Sequence, residues 1–155
     1  MQCFFARTVG RRTLLTAAAV LVVTSTSETA PGSAAIVLPV TEDGQFLCFR
    51  QVKYALEGAA LAPVGGMLEP GEAPLDGAKR ELREEMGCEA GEWVSLGSHI
   101  LDPNRGIATM HLFLALGARK VAEPSQDDLE DQQPVSLTRG EVEAALPPDQ
   151  RKALA

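Results

Sequence analysis

Apolar positions along the chain fall into short runs bounded by turn formers, interrupted once by a stretch of a different period. Residues 34–40 (AAIVLPV) and 45–52 (QFLCFRQV) read as two strands, and the Asp-Gly step in Glu42-Asp43-Gly44 marks the turn of a hairpin between them. Residues 54–66 (YALEGAALAPVGG) predict a connection or a short strand, with Pro63 and Gly65-Gly66 stopping any regular element. Leu75, Ala78, Leu82 and Met86 then recur at three- and four-residue steps. That period places them on one stripe of a helix, its buried side, with Pro74 in the first turn and Gly87 as the stop. Apolar segments within 92–101 and 107–121, separated by Asp102-Pro103-Asn104-Arg105-Gly106, predict a second strand pair. Residues 123–134 read as an acidic surface loop and 135–137 as a short final strand. Thr138 caps a helix over 139–146, with Glu141 three residues on and Pro147-Pro148 beyond its end. The order strands, helix, strands, helix predicts a mixed sheet with helices packed on it.

The charges of the central helix change this picture. Glu81, Glu84 and Glu85 stand at i, i+3 and i+4, so their carboxylates leave the helix from one arc beside the apolar stripe, while Lys79, Arg80 and Arg83 occupy the other sides. Clustered like charges on an exposed helix cost about 0.2–0.5 kcal/mol per pair, and folding does not require them. A divalent cation removes the penalty. Mg2+ and Mn2+ prefer oxygen ligands and keep several waters, which suits carboxylates that converge without enclosing the ion.

The length of 155 residues fits one domain, and the net charge of −7 argues against a protein that embraces a nucleic-acid backbone. Cys3, Cys48 and Cys88 are odd in number and lack metal-ligand spacing, so neither a disulfide framework nor a zinc site is suggested, and Cys48 and Cys88 read as buried thiols. Residues 1–33 differ from the rest. Arg7, Arg11 and Arg12 precede or flank an apolar run from Leu14 to Val23 that is short of the roughly 20 residues needed to span a bilayer. The segment reads as a targeting or disordered leader, for export or organellar import, ahead of a domain over 34–155. Arg11-Arg12-Thr13-Leu14-Leu15 resembles a twin-arginine signal. Stable membrane insertion is not expected.

Gly66, Glu72, Arg80-Glu81-Leu82, Glu84-Glu85 and Gly87-Cys88 together resemble the Nudix box, G-x5-E-x7-R-E-U-x-E-E-x-G-U with U a bulky apolar residue; Cys88 takes a position that is usually aliphatic. Further similarity, in Arg50-Gln51, Pro63 to Gly66, Glu69 to Glu72, residues 113–118 and the acidic loop before Leu137-Thr138, is to the ADP-ribose and ADP-sugar diphosphatase branch. Leu61 stands where that branch often carries a glutamate.

The resemblance implies an α+β Nudix fold, a mixed β-sheet sandwiched between helices (α/β/α). It implies Mg2+-dependent hydrolysis, with Mn2+ as an alternative ion, of a nucleoside diphosphate linked to another group. ADP-ribose or another ADP-sugar would give AMP and a sugar phosphate. The alternatives are a different nucleotide substrate and a nucleotide-sensing module without catalysis. Carried over by position, Glu81, Glu84 and Glu85 are metal ligands with the Gly65 carbonyl as a further oxygen, Arg80 orients a glutamate, and Glu72 steadies the loop and helix start. Gly66 and Gly87 are structural, and Glu130 is the first choice for a mobile acid. Arg50, Gln51 and Arg105 are candidates for contacting substrate. His99 and His111 read as structural, and Trp93 as core or edge packing rather than an adenine stack. A homodimer is expected from the branch.

Overall fold

Two long apolar strands form the centre of the sheet. Strand β1 (Ser33–Thr41) and strand β7 (Ala108–Lys120) run parallel, from Ser33 opposite Thr109 to Thr41 opposite Ala118. Each buries one face and at least half-buries the other over most of its length, which is why each reads as a near-continuous apolar run. The computed structural model describes residues 32–52, 58–125 and 132–146. The leader expected over residues 1–33 therefore lies, up to residue 31, outside the described residues, as do Glu130 and Pro147-Pro148.

Strand β2 (Phe46–Val52) meets β1 antiparallel at the predicted turn, where Val40 faces Phe46 and Gly44 N–H donates to the Thr41 carbonyl. The hairpin reading holds only at that end. The first half of β1 pairs instead with strand β4 (Val64–Met67), and β2 lies between strand β3 (Ala59–Ala62) and strand β8 (Gln132–Leu137), with Phe49, Arg50 and Gln51 paired to both. Gly65-Gly66 thus does not stop regular structure, as the sequence suggested. Gly65, at φ 153°, passes so close to β1 that a Cβ would lie 2.2 Å from the Ala35 carbonyl oxygen, and only glycine can be a strand residue there.

Strand β6 (Glu92–Leu101) forms the predicted pair with β7, with an irregularity between Ser95 and Gly97. The short strand β5 (Cys88–Glu89) pairs with Arg119 and Lys120, a contact without local sequence signal. The last strand starts at Gln132 rather than Val135. Pro134 is tolerated because β8 bonds only to β2 and is an edge.

Helix α1 (Pro74–Met86) lies on one face, where Ala78, Leu82 and Met86 pack against Val37, Phe49, Val64, Phe113 and Ala115. Leu75 departs from the predicted stripe and is exposed. At the first turn the helix meets the preceding loop rather than the sheet, and Gly77 is buried with the Leu68 side chain in the space its Cβ would fill. Gly87 ends the helix in the left-handed region (φ 64°), donating to the carbonyls of Leu82 and Arg83. Helix α2 (Arg139–Ala145) lies on the other face, capped by the predicted Thr138/Glu141 box, with Val142 over Val40, Phe46, Cys48 and Leu114. The architecture is the expected α+β sandwich of a mixed sheet between helices. No helix among the described residues is long and apolar enough to cross a membrane.

Candidate active site

The site forms where α1 crosses β4. Arg80, in the middle of the helix, gathers the acidic residues around one guanidinium. Its Nε and Nη2 donate to the two oxygens of Glu72 (2.9 and 3.1 Å), Nη1 donates to both Glu81 Oε1 and Glu84 Oε2 (2.8 Å each), and Nη2 also reaches the Met67 carbonyl at 3.0 Å. The fork geometry of arginine is what permits so many bonds from one side chain. Glu72 additionally accepts from the Glu69 N–H at 2.9 Å, so it clamps the loop onto the helix start. The Arg80 bonds, then that backbone bond, hold the Glu72 carboxyl below the usual glutamate range.

Glu81 is the unusual member. The helical pattern placed it beside the apolar stripe, yet it is only 8% exposed. Burial pushes its carboxyl up, the Arg80 bonds pull it back, and the charges of Glu84 and Glu72 raise it again. Gly66 provides its room, since a Cβ there would lie 2.5–2.7 Å from the Glu81 carboxylate atoms. Glu85 turns to the strand, where the Gly65 N–H donates to its Oε2 at 2.9 Å.

Glu81 and Glu85 thus meet the Gly65–Gly66 segment, while Glu84 turns to Arg80. Among the described residues no three acidic, histidine or cysteine side chains are drawn into one ligand sphere, because Glu81 and Glu84 face Arg80 while Glu85 faces Gly65. The donor chemistry nonetheless fits a hard cation: oxygen donors only, one of them buried at an energetic disadvantage, beside a space that any side chain at residue 66 would fill.

The other candidates separate. Arg50 and Gln51, adjacent on β2, point to opposite sheet faces. Arg50 lines a cavity of about 940 Å3 between the sheet and α2, whereas Gln51 is half-buried with Oε1 unpartnered among the described residues. Arg105 is 78% exposed in the β6–β7 turn, 3.6 Å from Asp102, and does not line that cavity. Trp93 packs edge-on against Phe113 (centroids 6.4 Å apart) as part of the core. The His111 ring bonds Ser98 Oγ at 2.8 Å, and burial lowers its basicity. Cys48 and Cys88 are free buried thiols, and burial pushes Cys48 up to about 11.

Sequence reasoning missed the cavity. Its walls come from β1, β2, β3, β6, β7 and α2, including Ile36, Leu38, Leu61, Met110 and Val142, and residues so far apart carry no common spacing. The Ile36 side chain lines the cavity and lies where a Gly65 Cβ would come within 3.1 Å of it, and the same Gly65 holds Glu85.

The chain is 35% identical over 85 residues to an ADP-ribose pyrophosphatase of Bacillus subtilis (strain 168), covering 55% of this chain and 45% of that protein. It is 35% identical over 92 residues to a methanol dehydrogenase activator of Bacillus methanolicus, covering 58% and 48%. The chain thus spans about half the length of these curated relatives. The crystal structure of an ADP compounds hydrolase superposes with a TM-score of 0.64 at 22% identity, over 82% of this chain and 71% of that one, a likeness of fold. Residues 30–155 match the NUDIX domain, and the chain belongs to the NUDIX family.

Proposed function

We propose that this protein is a divalent-metal-dependent hydrolase of a nucleoside diphosphate linked to a second group, with ADP-ribose or another ADP-sugar as the leading substrate and AMP plus a sugar phosphate as products. The observation that carries the reading is the approach of Glu81 and Glu85 to the Gly65–Gly66 strand, with Glu84 joined to Glu81 through Arg80 and Glu81 itself buried. A binding module has no use for a buried carboxylate kept among other carboxylates. The similarity to an ADP-ribose pyrophosphatase supports the substrate class.

Glu81, Glu84 and Glu85 would hold the ion, Mg2+ or Mn2+, with the Gly65 carbonyl as a further donor. Bound there, it would screen the diphosphate and lower the pKa of a water. The chain's own residues do the rest. Arg80 fixes the direction of Glu81 and Glu84, Glu72 ties Arg80 to the loop, and Gly66 keeps the approach to Glu81 open. Arg50 on the cavity wall is a cation for the substrate, and Glu130 remains the candidate mobile acid.

The test is nucleotide hydrolysis with Mg2+ or Mn2+, comparing wild type with Glu84→Gln and Glu85→Gln. We expect turnover that chelation abolishes and that each substitution lowers by at least about tenfold. Tight nucleotide binding without cleavage would replace this reading with a sensor. Turnover unaffected by both substitutions would overturn the assignment of the ligands.

A further inference from the structure

The end of α1 that carries Glu84 and Glu85 is held by a segment remote from it in the chain. Both residues stand in the last turn, where a helix leaves carbonyls without intrahelical donors. Residues 121–125, which follow β7, supply donors there. The Val121 and Ala122 N–H groups both donate to the Gly87 carbonyl (2.8 and 3.0 Å), and the Ser125 N–H donates to the Glu84 carbonyl at 2.8 Å. The run lies so close that a Cβ on Gly87 would come 2.1 Å from the Ala122 carbonyl oxygen. Pro124 precedes the Ser125 donor and fixes one backbone angle of its approach. Val121, Glu123, Pro124 and Ser125 are exposed, so the run adds hydrogen bonds to the helix end rather than bulk to the core.

Glu84 is thereby fixed at two points, its main chain by Ser125 and its carboxylate by Arg80 Nη1 at 2.8 Å. Glu85, the next residue, has its carboxylate on the Gly65 N–H at 2.9 Å. Glu81 sits a turn earlier, buried and bonded to Arg80, and does not depend on the helix end. Helix ends are where fraying starts. A displacement of roughly 1 Å in a reacting site is worth about 10²-fold in rate, so the turn that bears two of the three acids gains most from being tied.

We infer that residues 121–125 are a positioning element for the acidic site, in which the Ser125 N–H, by capping the Glu84 carbonyl, sets the main chain from which Glu84 and Glu85 project. Ser125 acts through its backbone, and its hydroxyl is not required. The inference rests on the hydrolase reading only for the ion that the carboxylates would hold.

The experiment compares Ser125→Pro, which removes the donor and sets a ring carbon against the Glu84 carbonyl, with Ser125→Ala, which keeps the donor. Both readouts use the full chain. The first is amide exchange of the Gly65 N–H without metal, measured by NMR relative to the Leu114 amide in the core, because Gly65 donates to Glu85 and reports where that carboxylate lies. The ratio should rise at least about threefold in Ser125→Pro and less than about twofold in Ser125→Ala. A loss of global stability moves both amides together and leaves the ratio unchanged. The second is Mn2+ titration followed by electron paramagnetic resonance, where the Kd should rise at least about threefold in Ser125→Pro and stay within about twofold in Ser125→Ala and in Thr138→Ala, which weakens only the other helix. If Ser125→Pro does not fold, Pro124→Gly, which loosens the approach of the donor, replaces it, with a rise of at least about twofold expected in both readouts. Smaller changes than these, or equal changes in Ser125→Ala, overturn the inference, and nucleotide turnover by the wild type then leaves the hydrolase reading standing. A raised Gly65 ratio with no Mn2+ bound even by the wild type upholds the positioning and overturns the metal reading.

Discussion

Gly66→Ala tests the relation between the helix and the strand beneath it. The new Cβ would lie 2.5 Å from Glu81 Oε1 and 2.7 Å from both Cδ and Oε2, so the carboxylate must retreat by roughly 1 Å to reach ordinary van der Waals separation. Glu81 is buried and held at 2.8 Å by Arg80, so retreat breaks that bond. Overpacking of this kind costs about 1–3 kcal/mol, and a charge-assisted hydrogen bond about 1.5–3 kcal/mol. Partial relaxation should leave a net loss of about 2–3 kcal/mol in urea denaturation. A misplacement of roughly 1 Å at a reacting site is worth about 10²-fold in rate, so hydrolysis should fall further than stability alone explains. The control is the same substitution in a Glu81→Ala background, where the clash is absent and the stability cost should nearly vanish. An unchanged cost in that background, or a single Gly66→Ala variant with turnover within twofold of wild type, would refute the proposed contact. Gly65→Ala should behave differently. Its Cβ meets the backbone oxygen of Ala35 at 2.2 Å, which cannot swing away, so folding itself should fail by circular dichroism.

Three further outcomes follow from the same geometry. Arg80→Ala leaves Glu81 buried without its cation and should cost about 3–5 kcal/mol in denaturant titration; Arg80→Lys should recover only part of this, because an ammonium cannot make the fork to Glu72, Glu81 and Glu84 together. Burial depresses the His111 pKa, so the folded state binds a proton less well than the unfolded chain. The contribution to stability is present above about pH 6.5 and is lost as pH falls from there toward the folded value; the loss of Tm between pH 7.5 and 5.5 should shrink in His111→Gln. Thr138→Ala removes the cap of α2 and should lower stability by about 1 kcal/mol in the same titration, while Glu141→Ala should lower it by a similar amount through the other half of the box.

The sequence by itself determined the elements that depend on local chemistry. The period of Ala78, Leu82 and Met86 reports a helix because a single face must be buried, Gly87 reports its end because only a left-handed residue closes it without strain, and Thr138 with Glu141 reports a cap because each side chain meets the other's backbone. The spacing of the acidic residues along that helix was equally legible, since three- and four-residue steps fix a common arc whatever surrounds it. Tertiary structure alone decided the parallel pairing of β1 with β7, the passage of Gly65-Gly66 through the sheet as a strand, and the exposure of Leu75, because each depends on a neighbour remote in the chain. It also decided that Glu81 is buried, that Arg80 joins three glutamates rather than one, and that Arg50 is on the face that carries the cavity. The cavity between the sheet and α2 is the clearest case. Volume between a sheet face and a helix belongs to the packing of distant segments, and no spacing along the chain encodes it.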